Sequence, residues 1–166
     1  MKEETNKMEG VVVRGVSLDK NQAKVTLVRV PDKPGVAARI FKALGDAAVN
    51  VDMIVQNISH GSGTPATDLS FTTDKPDLAK AQKVINGLKG EIGFGDVIST
   101  ENIGKLSIVG VGMKSHSGVA GKMFEILANE GVNIEMISTS EIKISVVIDL
   151  AKGEHAMKAV HAAFIA

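Results

Sequence analysis

The sequence predicts an α+β protein made of two small modules, each with the order strand, helix, strand, strand, helix, strand. The main reason is a duplication: residues 35–56 and 118–139 align over 22 positions without a gap and share nine identities. Around both copies, short β-branched segments alternate with segments in which apolar residues recur every three or four positions. The 166 residues are enough for two domains of about 70 to 80 residues. We therefore expect two copies of one supersecondary unit.

The first copy supplies all six elements. Strands are predicted at residues 24–30, 50–55, 67–73 and 96–100, and the first helix at 35–44. The second helix begins near Pro76, a residue that suits the first turn of a helix because its missing N–H is not needed there. Its apolar face consists of Leu78, Ala81, Ile85 and Leu88 at helical spacing. We expect an antiparallel sheet with both helices on one face.

The second copy lacks its last strand. Its elements are predicted at residues 105–111, 118–127, 133–138 and 142–149, followed by a helix with Ala156, Val160, Ala163 and Phe164 on its apolar face. A β-branched segment, residues 11–17, precedes the first copy without belonging to it. We infer that this strand crosses over and completes the second sheet. The predicted domains are 19–103 and 104–166, the second completed by residues 10–18, with a turn at 19–22.

The composition argues against several classes of function. Lys and Arg together equal Asp and Glu, at 19 each, so no net charge steers the chain toward nucleic acid or an anionic membrane. The absence of Cys excludes disulfides, thiolate metal sites and thiol catalysis, and it fits a reducing compartment. No apolar stretch approaches the roughly 20 residues that a membrane-spanning helix needs. We expect a cytoplasmic protein with no nucleic-acid and no membrane partner.

The turn before the first helix is the main candidate binding segment. Pro and Gly within residues 31–36 predict a tight turn, and Gly35 allows the helix to begin with its first backbone N–H groups exposed. Such groups favour an anion, including the carboxylate of an amino acid, and Asp32 beside them suits an ammonium group. The alternative is an ordinary turn with Asp32 as a helix cap. The second copy keeps the Gly-Val pair at 118–119 but has no acid in its turn.

Polar residues at the strand ends form a second candidate group. Asn50 and Asn133 stand where each first helix returns to the sheet, so each either contacts a ligand or forms a turn. Gln56 and Asn57 end a strand of the first copy, and residues 138–141 end its counterpart. Their recurrence at one end of both copies favours binding. The alternative is that they are solvated loop ends.

Catalytic and metal sites find little support in the sequence. The histidines, His60, His116, His155 and His161, lack metal-ligand spacing with acids, and no phosphate-binding Gly-rich loop is present. Ser115 and His116 are neighbours, but a nucleophile and a base also need a third group that orients them. We expect no metal, no cofactor and no catalytic residue. The alternative is a small catalytic α+β enzyme that uses Asp32, His116 and Glu141.

Four segments resemble the tandem ACT region of bacterial aspartate kinases, also called aspartokinases. They are residues 30–38, 50–59, 109–120 and 133–146, and the run Ser-Thr-Ser-Glu-Ile-Lys-Ile-Ser-Val in the last of them is highly specific. The resemblance spans residues 8–164 and includes no kinase domain. It implies two ferredoxin-like ACT domains that form the regulatory part of the enzyme. The regulatory subunit of another amino-acid biosynthetic enzyme is an alternative.

The resemblance also implies what the chain binds. In this family threonine, lysine or both bind between modules of two chains and inhibit the phosphorylation of aspartate. We therefore expect an amino-acid effector, a homodimer, and an aspartate kinase catalytic domain or subunit as partner. By position, the effector-binding residues are Asp32, Gly35, Val36, Ala37, Asn50, Val51, Asp52, Gln56 and Asn57 in the first copy. In the second copy they are Val119, Ala120, Asn133, Ile134, Ser140 and Glu141.

Overall fold

The computed structural model describes residues 12–58, 66–111 and 116–165, which fold as two compact units. One unit is Asn21–Glu101, hereafter the inserted unit. The other consists of the described residues before and after that segment, hereafter the terminal unit. Each unit contains one four-stranded antiparallel sheet and two α-helices. The predicted α+β fold class is confirmed.

The inserted unit contains the six elements of the first copy. In chain order they are β2 (Gln22–Pro31), α1 (Val36–Asp46), β3 (Val51–Ile58), β4 (Ala66–Asp74), α2 (Leu78–Ile92) and β5 (Val97–Thr100). A short 3-10 turn, Lys75–Asp77, leads from β4 into α2. The strands are ordered β3-β4-β2-β5 across the sheet, so β3 and β5 are its edges.

The terminal unit is completed by a strand from the start of the chain. Its elements are β1 (Val12–Asp19), β6 (Ile103–Val111), α3 (His116–Asn129), β7 (Ile134–Thr139), β8 (Lys143–Asp149) and α4 (Gly153–Phe164), with a 3-10 turn at Leu150–Lys152. The strand order is β1-β6-β8-β7, so β1 takes the place that β5 has in the inserted unit. The predicted crossover is confirmed. The strand runs to Asp19, two residues beyond the predicted segment, and Val11 lies outside the described residues.

Alternating residues of the central strands bury against the helices in both units. In the inserted unit, Leu27 and Phe71 of the sheet are buried with Ile40 of α1 and Ile85 of α2. In the terminal unit, the buried core contains Leu106, Ile108, Ile144 and Val146 of the sheet together with Met123, Leu127 and Val160 of the helices. The period of two in the strands and of three to four in the helices therefore builds a separate core for each unit.

One predicted core position on the last helix is wrong. Ala163 was expected on the apolar face of α4, but it is exposed. Ala156 and Val160 are buried, and Phe164, one position further along, is partly buried and packs on the core. The buried face follows a spacing of four residues from Ala156 through Val160 to Phe164, which leaves Ala163 outside it. The ammonium of Lys122 on α3 lies 4.8 Å from the centre of the Phe164 ring.

Two glycines allow the crossover strand, β1, to pack closely against the terminal unit. A Cβ atom added to Gly104 or to Gly153 would lie 3.1 Å from a methyl carbon of Leu18, so the absence of a side chain at both positions gives Leu18 its space. Beside this contact, Lys20 forms an ion pair with Glu154 on α4. Lys20 lowers the pKa of Glu154 through this hydrogen bond and its charge. Both groups are exposed, and an exposed ion pair contributes little to stability. We therefore attribute the docking of β1 to its backbone hydrogen bonds with β6 and to the packing of Leu18.

In each unit a left-handed residue stands two positions after the last residue of the first helix, but only one of these residues is glycine. Gly131 has φ 70°, and Ala48 at the same position of the repeat has φ 59°. In both units the next residue donates its N–H to a carbonyl five positions back, from Val49 to Leu44 and from Val132 to Leu127, at 3.0 and 2.8 Å. Because a left-handed conformation costs a residue with a Cβ about 1–2 kcal/mol, Ala48 is strained where Gly131 is not.

We predict that Ala48→Gly stabilises the chain. Glycine removes the strain at φ 59° but adds conformational freedom to the unfolded chain, so the expected net gain is about 0.5–1 kcal/mol. The matched variant Gly131→Ala is expected to lose about 1 kcal/mol. Urea denaturation of both variants measures the change in the free energy of unfolding. An Ala48→Gly variant that is less stable than the parent would contradict the prediction.

A second prediction concerns the crossover strand. Deleting residues 1–19 leaves β6 paired only with β8 and exposes its other edge beside an apolar core, and an open edge of this kind pairs with other chains. We therefore expect the deletion variant to aggregate in static light scattering, whereas Arg14→Ala, which removes only an exposed side chain of β1, stays monodisperse. A stable, monodisperse deletion variant would refute the structural role given to β1.

Candidate functional site

The candidate site of the inserted unit lies at one end of its sheet. We call this the near end: β2 and β3 finish there and β4 begins. Thr67 of β4 marks it, since it stands opposite Val30 of β2 and Ile58 of β3. The opposite end, where β3 begins and β4 finishes, is the far end. In the terminal unit, the near end is where β6 and β7 finish and β8 begins.

The start of α1 presents free backbone donors at the near end. Gly35 has φ 92° and precedes the first helical residue, Val36. No side chain caps this helix, so the carboxylate of Asp32 does not act as its cap, and that alternative is not supported. The exposed Ala37 and Ala38 lie in the first turn, where backbone N–H groups have no partner within the helix. This start of the helix is open to an anion, and the exposed Asp32 lies just before it.

The end of β3 adds an amide to the near end. The side chain of Gln56 is exposed, and its Nε2 donates to Oγ1 of Thr67 at 3.2 Å. Thr67 is itself fully buried, with 0% of its surface exposed. Asn57 is exposed and stands opposite Asp68 of β4. The near end therefore combines helix N–H donors, a carboxylate and amides, which are groups that complement a zwitterion.

Sequence reasoning missed a strained residue beside this site. Arg29 has φ 56° at a bulge in β2, and its backbone N–H donates to Oδ1 of Asp68 at 3.0 Å. Its guanidinium lies so close to Gly95 that a Cβ there would be 2.9 Å from one nitrogen. The repeat gives no signal for this conformation: Thr26 pairs with Ser70 as Ser107 pairs with Ser145, which aligns Arg29 with Gly110, and Gly110 does not have a positive φ.

Three of the site residues carried over from the family lie at the far end instead. Asn50 precedes β3, and Val51 and Asp52 are its first two residues. The three lie four to six residues before Gln56. At roughly 3.3 Å per residue, Asn50 is about 20 Å from Gln56 along the strand. The groups of Asn50 are also engaged in the fold. Its N–H and Nδ2 donate to carboxylates of Asp77 and Asp74 at 3.0 and 2.9 Å, and its carbonyl accepts from Thr73 Oγ1 at 2.7 Å.

The carried-over residues of the terminal unit divide in the same way. Val119 is buried and Ala120 partly buried near the start of α3, at the near end. Ser140 and Glu141 are exposed in the hairpin between β7 and β8, which is closed by a 2.8 Å bond from the Ser140 N–H to the carbonyl of Lys143. The remaining two, Asn133 and Ile134, lie at the far end of this sheet. The segment 114–119 is the counterpart of the 31–36 turn; its first two residues lie outside the described residues, and the other four belong to α3 and do not form a turn.

Metal and membrane sites find no support in the described ranges. Across 12–58, 66–111 and 116–165, no three His, Asp or Glu side chains are grouped closely enough to hold a metal ion. None of the helices in those ranges is long and apolar enough to cross a membrane.

Comparison with known protein families and sequences identifies the family of this chain. Models of the ACT domain match residues 24–90 and 106–164, which together cover more than half of the chain. The chain belongs to the ACT domain family. An aspartate kinase of Stutzerimonas stutzeri is 48% identical over 162 residues, and an aspartokinase of Helicobacter pylori is 48% identical over 158 residues. These matches take in 98% and 95% of this chain but only 39% and 38% of the relatives.

Solved structures show which part of an aspartokinase this ACT chain resembles. The regulatory subunit of aspartate kinase from Thermus thermophilus superimposes with a TM-score of 0.85 at 41% identity, over 92% of this chain and 99% of that one. A chain from a structure of aspartokinase alpha and beta subunits gives 0.84 at 46% identity, with the same coverage. The ACT chain therefore corresponds to the regulatory part of aspartokinases and not to the catalytic domain. The predicted resemblance is confirmed, and a catalytic role for Asp32, His116 and Glu141 has no support.

Proposed function

We propose that this ACT chain binds threonine, lysine or both, and that it passes this binding to the catalytic domain or subunit of an aspartokinase as feedback inhibition in the cytoplasm. The main support is the structural match to the regulatory subunit of aspartate kinase from Thermus thermophilus, which covers 99% of that chain at 41% sequence identity. The open start of α1, next to Asp32 and Gln56, supplies the chemistry that such a role needs.

The near end of the inserted unit complements each part of an α-amino acid. The helix N–H groups of Ala37 and Ala38 favour the carboxylate, and the carboxylate of Asp32 favours the ammonium. The N–H of Val36 already donates to the carbonyl of Lys33 at 3.5 Å. The amide of Gln56 remains for a polar side chain such as the threonine hydroxyl. The terminal unit has no acid in the corresponding turn, so we place the tighter site in the inserted unit and take threonine as the first effector and lysine as the second.

A second copy of the chain supplies the other residues of the proposed site. Residues at the near end and at the far end of one sheet do not meet, so the full carried-over set requires two modules that face each other. The edge strands β3 and β7 provide apolar surfaces for such pairing: Ile54 is 52% exposed, and Ile137, at the same position of the repeat, is 44% exposed. We propose a symmetric homodimer that uses these edges.

The effector prediction is tested first by a screen. Thermal unfolding of the chain in the presence of each of the twenty amino acids is expected to shift upward with threonine and, less strongly, with lysine, because a ligand that binds only the folded state stabilises it. A screen in which no amino acid raises the unfolding temperature would refute the proposed function.

The location of the site is tested by Asp32→Ala. Loss of a charge-assisted hydrogen bond of about 1.5–3 kcal/mol is expected to weaken effector binding roughly 10- to 150-fold in titration calorimetry. Asp46→Ala is the matched control, since it removes the same charge from the exposed end of α1, where Asp46 pairs with Lys42. If Asp32→Ala keeps the parental affinity and dimerises normally, the site lies elsewhere.

The dimer prediction is tested by sedimentation. We expect the 17.4 kDa chain to sediment with about twice its mass at micromolar concentration, and Ile54→Asp or Ile137→Asp to shift it toward the monomer. Ile98→Asp is the control, because Ile98 is 59% exposed but lies on the opposite edge strand, β5. A monomer with and without amino acids would count against the assembly, as would equal effects of all three variants.

A further inference from the structure

A buried hydroxyl supports the exposed amide at the near end. Thr67 has none of its surface exposed and stands between Val30 and Ile58 on the neighbouring strands. By the period of two along β4, it shares the core-facing side of the sheet with Leu69 and Phe71. A hydroxyl among such neighbours is unfavourable unless it is hydrogen-bonded, and it accepts from Nε2 of Gln56 at 3.2 Å. Valine has almost the same shape as threonine, so packing alone does not require the hydroxyl.

This bond fixes what Gln56 offers to a ligand. An amide has a donor nitrogen and an acceptor oxygen, and the nitrogen of Gln56 is directed to Thr67. The second N–H of this amide stays available, and the oxygen, whose direction is fixed by the bond from the nitrogen to Thr67, accepts hydrogen bonds only. On the side of the oxygen, the amide therefore suits a hydroxyl or an ammonium and repels a carboxylate. A glutamine held in one orientation also loses less side-chain entropy when a ligand binds.

The terminal unit lacks both members of the pair. Gln56 stands opposite Leu69, and its repeat counterpart Thr139 stands opposite Ile144. Thr67 lies two residues before Leu69, and Ile142 lies two residues before Ile144, so Ile142 is the counterpart of Thr67. The apolar side chain of Ile142 is 55% exposed. Thr67 lies within β4, whereas Ile142 lies in the hairpin before β8, and of the two units only the inserted one has the amide and the buried hydroxyl at these positions.

We propose that Thr67 is a positioning residue that orients the Gln56 amide toward the effector, and that each chain therefore has one selective polar site, in the inserted unit. The proposal rests on the proposed function, because it assigns a role to Thr67 within that effector site. It concerns the hydroxyl of Thr67 and not its contribution to packing.

The test is calorimetric titration of the intact chain with threonine and, separately, with lysine. Thr67→Val is expected to weaken the tighter of the two about three- to tenfold, because one neutral hydrogen bond is lost. Thr67→Ser, which keeps the hydroxyl, is expected to stay within about twofold of the parent. Thr72→Val is the matched control: Thr72 lies on the same strand, is equally buried, and uses its hydroxyl to accept from the Met53 N–H at 2.9 Å.

A double variant separates positioning from general damage. Because Thr67 acts through Gln56, Gln56→Ala together with Thr67→Val is expected to bind no more weakly than Gln56→Ala alone. Unchanged affinity in Thr67→Val, additive losses in the double variant, or an equal loss in Thr72→Val would each overturn the proposal. If the parent chain binds neither amino acid, the proposed function itself fails, which is a different result from parental binding that is insensitive to Thr67.

Discussion

The antiparallel ladder between β1 and β6 is the constraint on which the rest of the structure depends. Without β1, the sheet of the terminal unit consists of β6, β8 and β7, with an open edge at β6. Seven residue pairs, from Val12 with Val111 to Asp19 with Lys105, close that edge. Only residues 20–21 and 101–102 connect the inserted unit to these strands. Both connections of the inserted unit therefore lead to two neighbouring strands of one sheet.

Most of the fold follows from the sequence because its signals are local and repeated. The duplication gave two modules, and the missing last strand of one copy pointed to the spare strand at the start of the chain. The start of α1 was readable in the same way, since glycine at Gly35 permits the left-handed conformation found there. The errors are small shifts at strand ends and Ala163, which was assigned to the buried face of the last helix but is exposed.

The site was less readable because its details depend on residues far apart in the chain. Asn50 looked like a ligand contact or a turn, but it binds Asp74 and Asp77, which come more than 20 residues later. Arg29 adopts a left-handed conformation because β2 is bulged against β4, and nothing in its own side chain indicates this. Comparison of the two copies does help at Ala48, where Gly131 stands at the same position of the repeat and also has a positive φ.

Divergence between the copies separates the requirements of the fold from those proposed for binding: the terminal unit keeps the strand order and the Gly-Val pair at 118–119, here inside α3, but lacks counterparts of Asp32, Gln56 and Thr67. The most direct test of an effector site in the inserted unit is amide hydrogen exchange of the intact chain with and without saturating threonine or lysine. The account predicts that exchange slows most at residues 37–38 and 56–57. Unchanged exchange at both segments with either amino acid, while the chain still binds it, would contradict the account.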